Sequence, residues 1–99
     1  MKIAKVLGTV VSTQKTESLQ GTKFLLVQRL DHQGQLLPEY DVAADCVGAG
    51  VDEWVLVSQG SAARQFRGYE QRPLDALIIA IIDTVSVSEG LVYTKRDGY

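Results

Sequence analysis

The chain has 99 residues, 45% of them hydrophobic and 22% charged, and its 10 basic and 12 acidic side chains give a net charge of −2. This length holds one hydrophobic core, so we expect a single domain over residues 1–99, with 91–99 as a C-terminal tail. The acidic balance disfavours a protein that binds nucleic acid by neutralising phosphates. The single cysteine, Cys46, excludes an internal disulfide, and no apolar run is long enough to span a bilayer, so we expect a cytoplasmic protein.

The first two predicted elements are β-strands with alternating polar and apolar positions. In KIAKVLGTVVS, residues 2–12, Ala4 and Val6 share one face and lysine lies between them. In TKFLLVQRLD, residues 22–31, we place Phe24, Leu26 and Leu30 together on the apolar face. Runs of this length and alternation are typical of half-buried strands.

The rest of the chain continues the same pattern of short strands and turns. HQGQ at 32–35 predicts a hairpin turn, and Pro38 in the following strand, LLPEYDVAAD, indicates an edge or a bulge. Three further elements are predicted: a strand at 53–58, one short helix at 61–66 with Ser61 as its N-cap, and a last long strand within 73–88. Together these elements predict an all-β fold, a small five-stranded OB-like barrel with one short helix.

The stretch ALIIAII, residues 76–82, is apolar at every position. Strict alternation places Leu77, Ile79 and Ile81 on the face opposite to the barrel interior. Monomers rarely expose such an apolar stripe, so we expect another subunit to cover it, and these three residues are the candidates for the subunit interface. The alternative is that the short helix or the tail of the same chain covers the stripe.

Three glycines flank the predicted strand at 53–58, and they raise the possibility of a phosphate-binding loop. In GAGVDEWVLVSQG the first two glycines are followed by Glu53 at the third position of a G-x-G-x-x-G motif, and then by a strand rather than a helix. We therefore expect no nucleotide cofactor. Glycine here serves backbone geometry or the close approach of another chain.

No arrangement of residues predicts catalysis or metal binding. His32 lies in a predicted turn, Cys46 is expected to be a small buried hydrophobe, and the acidic pair Asp52-Glu53 is expected to be solvated. We predict no catalytic residues, no cofactor, no metal ligands and hence no enzyme. The aromatic residues are not interleaved with basic ones, but a single-stranded nucleic-acid-binding OB module stays open as the alternative function.

Long blocks of the sequence resemble the CcmL/EutN family, the pentameric vertex proteins of bacterial microcompartment shells. The blocks are MKIAKVLGTVVSTQK, DVAADCVGAGVDEWVLVSQGSAARQ and PLDALIIAIIDTV, and the likeness extends to about Thr94. LLPEYDVAAD and GSAARQ are similar to the cyanobacterial carboxysome members in particular.

This resemblance implies a structural protein of the carboxysome shell, in the compartment used for carbon dioxide fixation. It implies a homopentamer with a narrow central pore, which caps five-fold vertices among hexameric shell proteins and has inner-shell scaffold proteins as further partners. We expect neither nucleic acid nor a membrane as partner. Small side chains let five loops converge, so the candidates for the pore or axial loops are Gly48, Ala49, Gly50, Ser61 and Arg64. For Ser61 and Arg64 the alternative is that they only cap and solvate the short helix.

Overall fold

The computed structural model describes residues 1–13, 21–60, 63 and 75–97, and the predicted helix at 61–66 lies outside these residues except for Ala63. The described chain is almost entirely β-structure. Its strands are β1 (Lys2–Val10), β2 (Phe24–Leu30), β3 (Leu36–Asp45), β4 (Trp54–Gln59), β5 (Ala76–Ile81), β6 (Thr84–Val87) and β7 (Gly90–Thr94), with a 3-10 helix at Lys95–Asp97. β1 to β5 close into a barrel in the order β1-β2-β3-β5-β4, while β6 and β7 form a separate hairpin. The predicted five-stranded barrel is confirmed.

The barrel interior is filled by small and β-branched side chains. Ala4 and Val6 point inward from β1, as the alternation predicts. The prediction for β2 is wrong, because Leu25 and Val27 are the buried residues and Leu26 is only half-buried on the outer side. FLLV is apolar at every position, so the sequence did not distinguish its two faces. Pairing with β1 distinguishes the two faces of β2, because Val27 lies opposite the inward-pointing Val6. The remaining interior side chains come from β3, β4, β5 and the loop after β3: Ala43, Ala49, Val55, Val57, Ala76 and Ile78.

β5 contains a bulge that changes which of its side chains face the interior. Val57 pairs with Ile78 but the preceding Leu56 pairs with Ala80, so Ile79 is an extra residue on β5. An extra residue reverses the alternation beyond it. Ile81 therefore packs on the barrel core, where it pairs with Val55, rather than on the outer face that strict alternation predicts.

The last predicted strand is divided into β5 and β6, and β7 lies within the predicted tail. The β6–β7 hairpin packs on the barrel through Tyr93, whose ring stacks on Trp54 with centroids 4.1 Å apart and an interplanar angle of 12°. Leu30 and Ile82 are buried in the same cluster. The Ile82 N–H donates to the Trp54 carbonyl oxygen at 2.8 Å, which fixes the start of the hairpin against β4.

Candidate functional site

The loop between β3 and β4 is organised around one buried carboxylate. Asp45 ends β3, and its side chain is only 2% exposed. Its Oδ1 accepts hydrogen bonds from the backbone N–H groups of Val47 and Gly48 at 3.1 Å each, and its Oδ2 accepts one from Ala49 at 3.1 Å. Lys23 Nζ lies 3.9 Å from Oδ2. The backbone donors that a phosphate-binding loop would offer are thus occupied by the protein's own carboxylate.

The second half of this loop is fixed by Glu53. The Gly50 N–H donates to Glu53 Oε1 at 2.6 Å, and the Glu53 N–H donates back to the Gly50 carbonyl oxygen at 3.2 Å. Lys95, in the 3-10 helix after β7, places its Nζ 3.1 Å from Glu53 Oε2. Glu53 therefore ties the loop to the C-terminal hairpin. The Gly50 hydrogen bond and then the Lys95 ammonium lower the pKa of Glu53 below its ordinary value of 4.5, and the Glu53 contact raises the pKa of Lys95.

We expect the Glu53→Gln variant to lose part of its stability dependence on acid. A carboxylate with a lowered pKa in the folded state contributes stability that is present above its ordinary pKa and is lost as the pH falls through the folded value. Urea unfolding between about pH 7 and about pH 3 should therefore give a flatter decline for Glu53→Gln than for the parent chain.

The matched control is Glu39→Gln, which changes an exposed glutamate on β3 and should leave the decline as it is. A residual slope in both variants is expected, because Asp31 and Glu89 also have lowered pKa values, through a backbone hydrogen bond from Gln35 and a side-chain hydrogen bond from Ser88 respectively. Equal slopes for Glu53→Gln and the parent chain would contradict the prediction.

The predicted axial residues occupy different environments. Gly48 and Gly50 are exposed, and Gly48 has a φ of +78°, which a side chain would strain. Ala49 is 2% exposed and its side chain packs in the barrel core, while its place in an axial loop stays a prediction. Ser61 and Arg64 lie outside the described residues.

The predicted interface residues on β5 are not brought together as one outer stripe. Leu77 is fully buried within the chain, under Ala44 of β3 and Ala63. The alternative left open by the sequence therefore holds at Leu77: a segment of the same chain covers it, and the prediction that it faces a neighbouring subunit is corrected. Ile79 is half-buried beside this cluster, and Ile81 is half-buried against the barrel core.

Two reactive side chains that the sequence offers are placed without a catalytic partner among the described residues. His32 lies in the β2–β3 turn and is exposed, as predicted. Cys46 is exposed, contrary to the prediction of a buried thiol, and its Sγ donates to the Ile78 carbonyl oxygen at 2.9 Å. Partial burial and the Asp45 charge raise the pKa of this thiol, which disfavours the nucleophilic thiolate.

The sequence reasoning missed an apolar surface on the outside of β1, β2 and β3. We call it the tyrosine face. Tyr40 is 67% exposed, Val42 46% and Leu7 41%, and these are large fractions for neighbouring apolar side chains. The sequence contained an indication of this surface. FLLV in β2 is apolar at every position, like ALIIAII at 76–82, so it places apolar side chains on the outer face as well as the inner one. The face consists of Leu7, Leu26, Pro38 and Tyr40, with Gln28 among them, and of Val42, which pairs with Leu26.

A second apolar surface lies on the outside of β1, β4 and β5 and beside β6. It is a groove of about 550 Å³, which we call the aliphatic groove. Its floor is a cross-strand row in which Leu56 pairs with Ile3 on one side and with Ala80 on the other. The remaining lining residues are Ile81, Ile82, Asp83, Thr84, Val85 and Ser86.

The described residues show neither a group of metal ligands nor a membrane-spanning helix. No group of three or more His, Cys, Asp or Glu side chains among these residues is arranged to hold a metal ion. None of the described helical segments has the length and apolar character that a membrane crossing requires.

Known proteins of one family resemble this chain over most of its length. The family model described as "Ethanolamine utilisation protein EutN/carboxysome" matches residues 1–83. The carboxysome shell vertex protein CcmL of Synechococcus elongatus is 66% identical over 97 residues, which covers 98% of each chain. The solved structure of Gloeobacter violaceus CcmL has a TM-score of 0.93 at 62% identity and covers 98% of this chain and 100% of its own. GrpN, a pentameric microcompartment shell protein from Rhodospirillum rubrum, has a TM-score of 0.80 at 47% identity, with coverages of 88% and 99%.

Proposed function

The chain belongs to the EutN/CcmL family, and from that premise we propose that it is a structural protein of the carboxysome shell, a homopentamer that caps the five-fold vertices. It is not an enzyme. The observation that carries the proposal is the full-length identity of about two thirds to carboxysome vertex proteins, together with an all-β barrel that leaves large apolar side chains uncovered.

The physical role follows from the geometry of a closed container. A flat lattice of hexamers has no curvature, and a ring of five identical chains introduces the angle that the lattice lacks. Head-to-tail contacts between identical chains close into such a ring when each contact rotates by one fifth of a turn. The ring would thus seal the cytoplasmic compartment in which carbon dioxide is fixed.

The partners beyond the ring belong to the same proposal. We propose hexameric shell proteins as its lateral neighbours and inner-shell scaffold proteins as further contacts; the proposal is supported by the shell-vertex description of the relatives. The nucleic-acid-binding alternative receives no support, since the full-length relatives are shell proteins and the chain is acidic overall.

The pore positions remain predictions. Gly48 and Gly50 stay candidates for loops that converge at the axis, because both are exposed and neither adds a side chain to a crowded junction. Ser61 and Arg64 stay candidates on the family resemblance alone. Among the interface candidates, Ile79 stays a prediction because it is only half-buried in the single chain. Ile81 stays one because it lines the aliphatic groove as well as packing on the barrel core.

We expect native mass spectrometry at micromolar chain concentration to give a particle of five times the chain mass of 10.8 kDa. Light scattering of the same sample should give the same mass. A stable particle of one chain mass would overturn the proposed function. As a check on the alternative, fluorescence anisotropy with a labelled single-stranded oligonucleotide at low salt should show no salt-sensitive binding.

A further inference from the structure

We propose that two different faces join the ring: the tyrosine face of one chain seats in the aliphatic groove of the next. This inference rests on the proposed homopentamer and adds which surfaces meet. A cyclic ring of five cannot be built from one self-complementary patch, because a two-fold contact closes after two chains. Each chain must therefore carry two non-identical faces that are uncovered when it is alone.

The tyrosine face has the composition of an interface centre. Leu26 lies directly opposite Val42 in the β2–β3 register, and Gln28 lies opposite Tyr40. Leu7 joins them from the irregular position in β1 between Val6 and Gly8. None of the side chains that line this face is charged, and Tyr40, at 67%, is more exposed than Val42 or Leu7. Aromatic anchors among uncharged neighbours are typical of the residues that dominate binding energy.

Gln28, the one amide side chain on this face, already uses its Nε2 group within the chain. The Gln28 Nε2 group donates to the Leu37 carbonyl oxygen at 2.8 Å within the same chain. Covering the face therefore does not leave this donor group of Gln28 unsatisfied. The apolar side chains of the face gain free energy when a contact removes them from water.

The aliphatic groove offers a complementary shape. Ala80, the smallest side chain of its floor, lies next to Leu56, and Val85 of β6 belongs to the same lining. Polar residues, namely Asp83, Thr84 and Ser86, follow along the chain beside the apolar floor. An apolar floor with polar neighbours matches the core and rim of a protein interface. The concavity suits a projecting ring such as that of Tyr40.

The positions of the two faces around the barrel also suit a closed ring. The tyrosine face is centred on β2 and the groove on β4, and β1 lies between those strands in the barrel order. The two faces are therefore separated by two strand steps of a five-stranded barrel, less than half a circle. If the two faces lay on opposite sides of the barrel, repeated contacts would build a straight filament. Because they are separated by less than half a circle, repeated contacts curve the row of subunits into a ring.

A mixing experiment with two single variants tests the pairing. Tyr40→Asp places a charge on the tyrosine face and Ala80→Asp places one in the groove, and a buried unpaired charge is strongly unfavourable. Each variant alone should give a particle of one chain mass. An equimolar mixture should give a heterodimer of the two variants and nothing larger, because the intact face of Ala80→Asp fits the intact groove of Tyr40→Asp. Native mass spectrometry resolves the two chains by mass.

The matched control is Leu91→Asp, which changes a side chain that is 53% exposed on β7 and belongs to neither face, and it should stay a ring. If circular dichroism shows that Ala80→Asp does not fold, Val85→Asp changes the same groove from β6. A ring formed by Tyr40→Asp, or a mixture that stays at one chain mass, would overturn the pairing. A parent chain of one chain mass would instead overturn the proposed pentamer.

Discussion

Leu77→Ala is expected to lower the free energy of unfolding by about 2–5 kcal/mol, the range for truncating a fully buried leucine. Leu77 is completely inaccessible and packs against Ala44 and Ala63, with Phe24 beside it. Two of these neighbours are alanines, which have no side-chain freedom to fill the space left by the lost methyl groups. We therefore expect the upper part of the range rather than the lower.

The measurement is urea unfolding over a series of chain concentrations that extends to those at which the chains are single, because subunit association adds to apparent stability. Leu36→Ala is the control: Leu36 is 52% exposed on β3, and its change should stay within about 0.5 kcal/mol. A residue that acted only in the ring contact would weaken association and leave the single chain as stable as before. An equal unfolding midpoint for Leu77→Ala and the parent, at concentrations where both are single chains, would contradict the burial of Leu77 and return it to the interface.

Trp54→Ala is expected to lower the free energy of unfolding by about 3–5 kcal/mol and to release the β6–β7 hairpin from the barrel. Trp54 is 8% exposed, stacks on Tyr93 and shares a cluster with Leu30 and Ile82. The expected loss of stability is large because the Trp54 side chain packs both on the end of the barrel and on the hairpin. Gly34 also abuts the indole: a Cβ there would lie 2.9 Å from Trp54 Cη2.

Hydrogen exchange separates the two effects of this substitution. In Trp54→Ala the backbone N–H groups of β6 and β7 should exchange faster than those of β1 and β2, because the hairpin has lost its stacking surface. Trp54→Phe is the matched variant, since it keeps an aromatic ring for Tyr93 and should retain most of the protection. Uniform loss of protection in every strand would show that the hairpin and the barrel unfold as one unit.

The sequence predicted the elements whose signals are local. Alternation in β1 identified Ala4 and Val6 as buried, and HQGQ identified the β2–β3 turn. The barrel followed from the number of short strands. The family resemblance, which depends on long specific blocks, added the assembly that no local signal carries.

The failures came from signals that are not local. The faces of β2 were misassigned because four consecutive apolar residues give no alternation, and only pairing with β1 decides which ones are buried. The bulge at Ile79 depends on how β5 pairs with β4, so strict alternation misplaced Ile81. Leu77 was misplaced because the segment that covers it is distant in the sequence. The tyrosine face was missed because its members come from three strands.

The capture of backbone donors by Asp45 has a consequence for traffic through a vertex. Backbone N–H groups attract anions whichever side chain the residue carries. Those of residues 47–49 are already engaged, and the amide of Gly50 is held by Glu53. At the axial position proposed for this loop, five copies would present a channel mouth in which the backbone amides of residues 47–50 are already hydrogen-bonded and offer nothing to an anion. Permeability would then be set by side chains, and evolution could retune it by single substitutions without disturbing the scaffold.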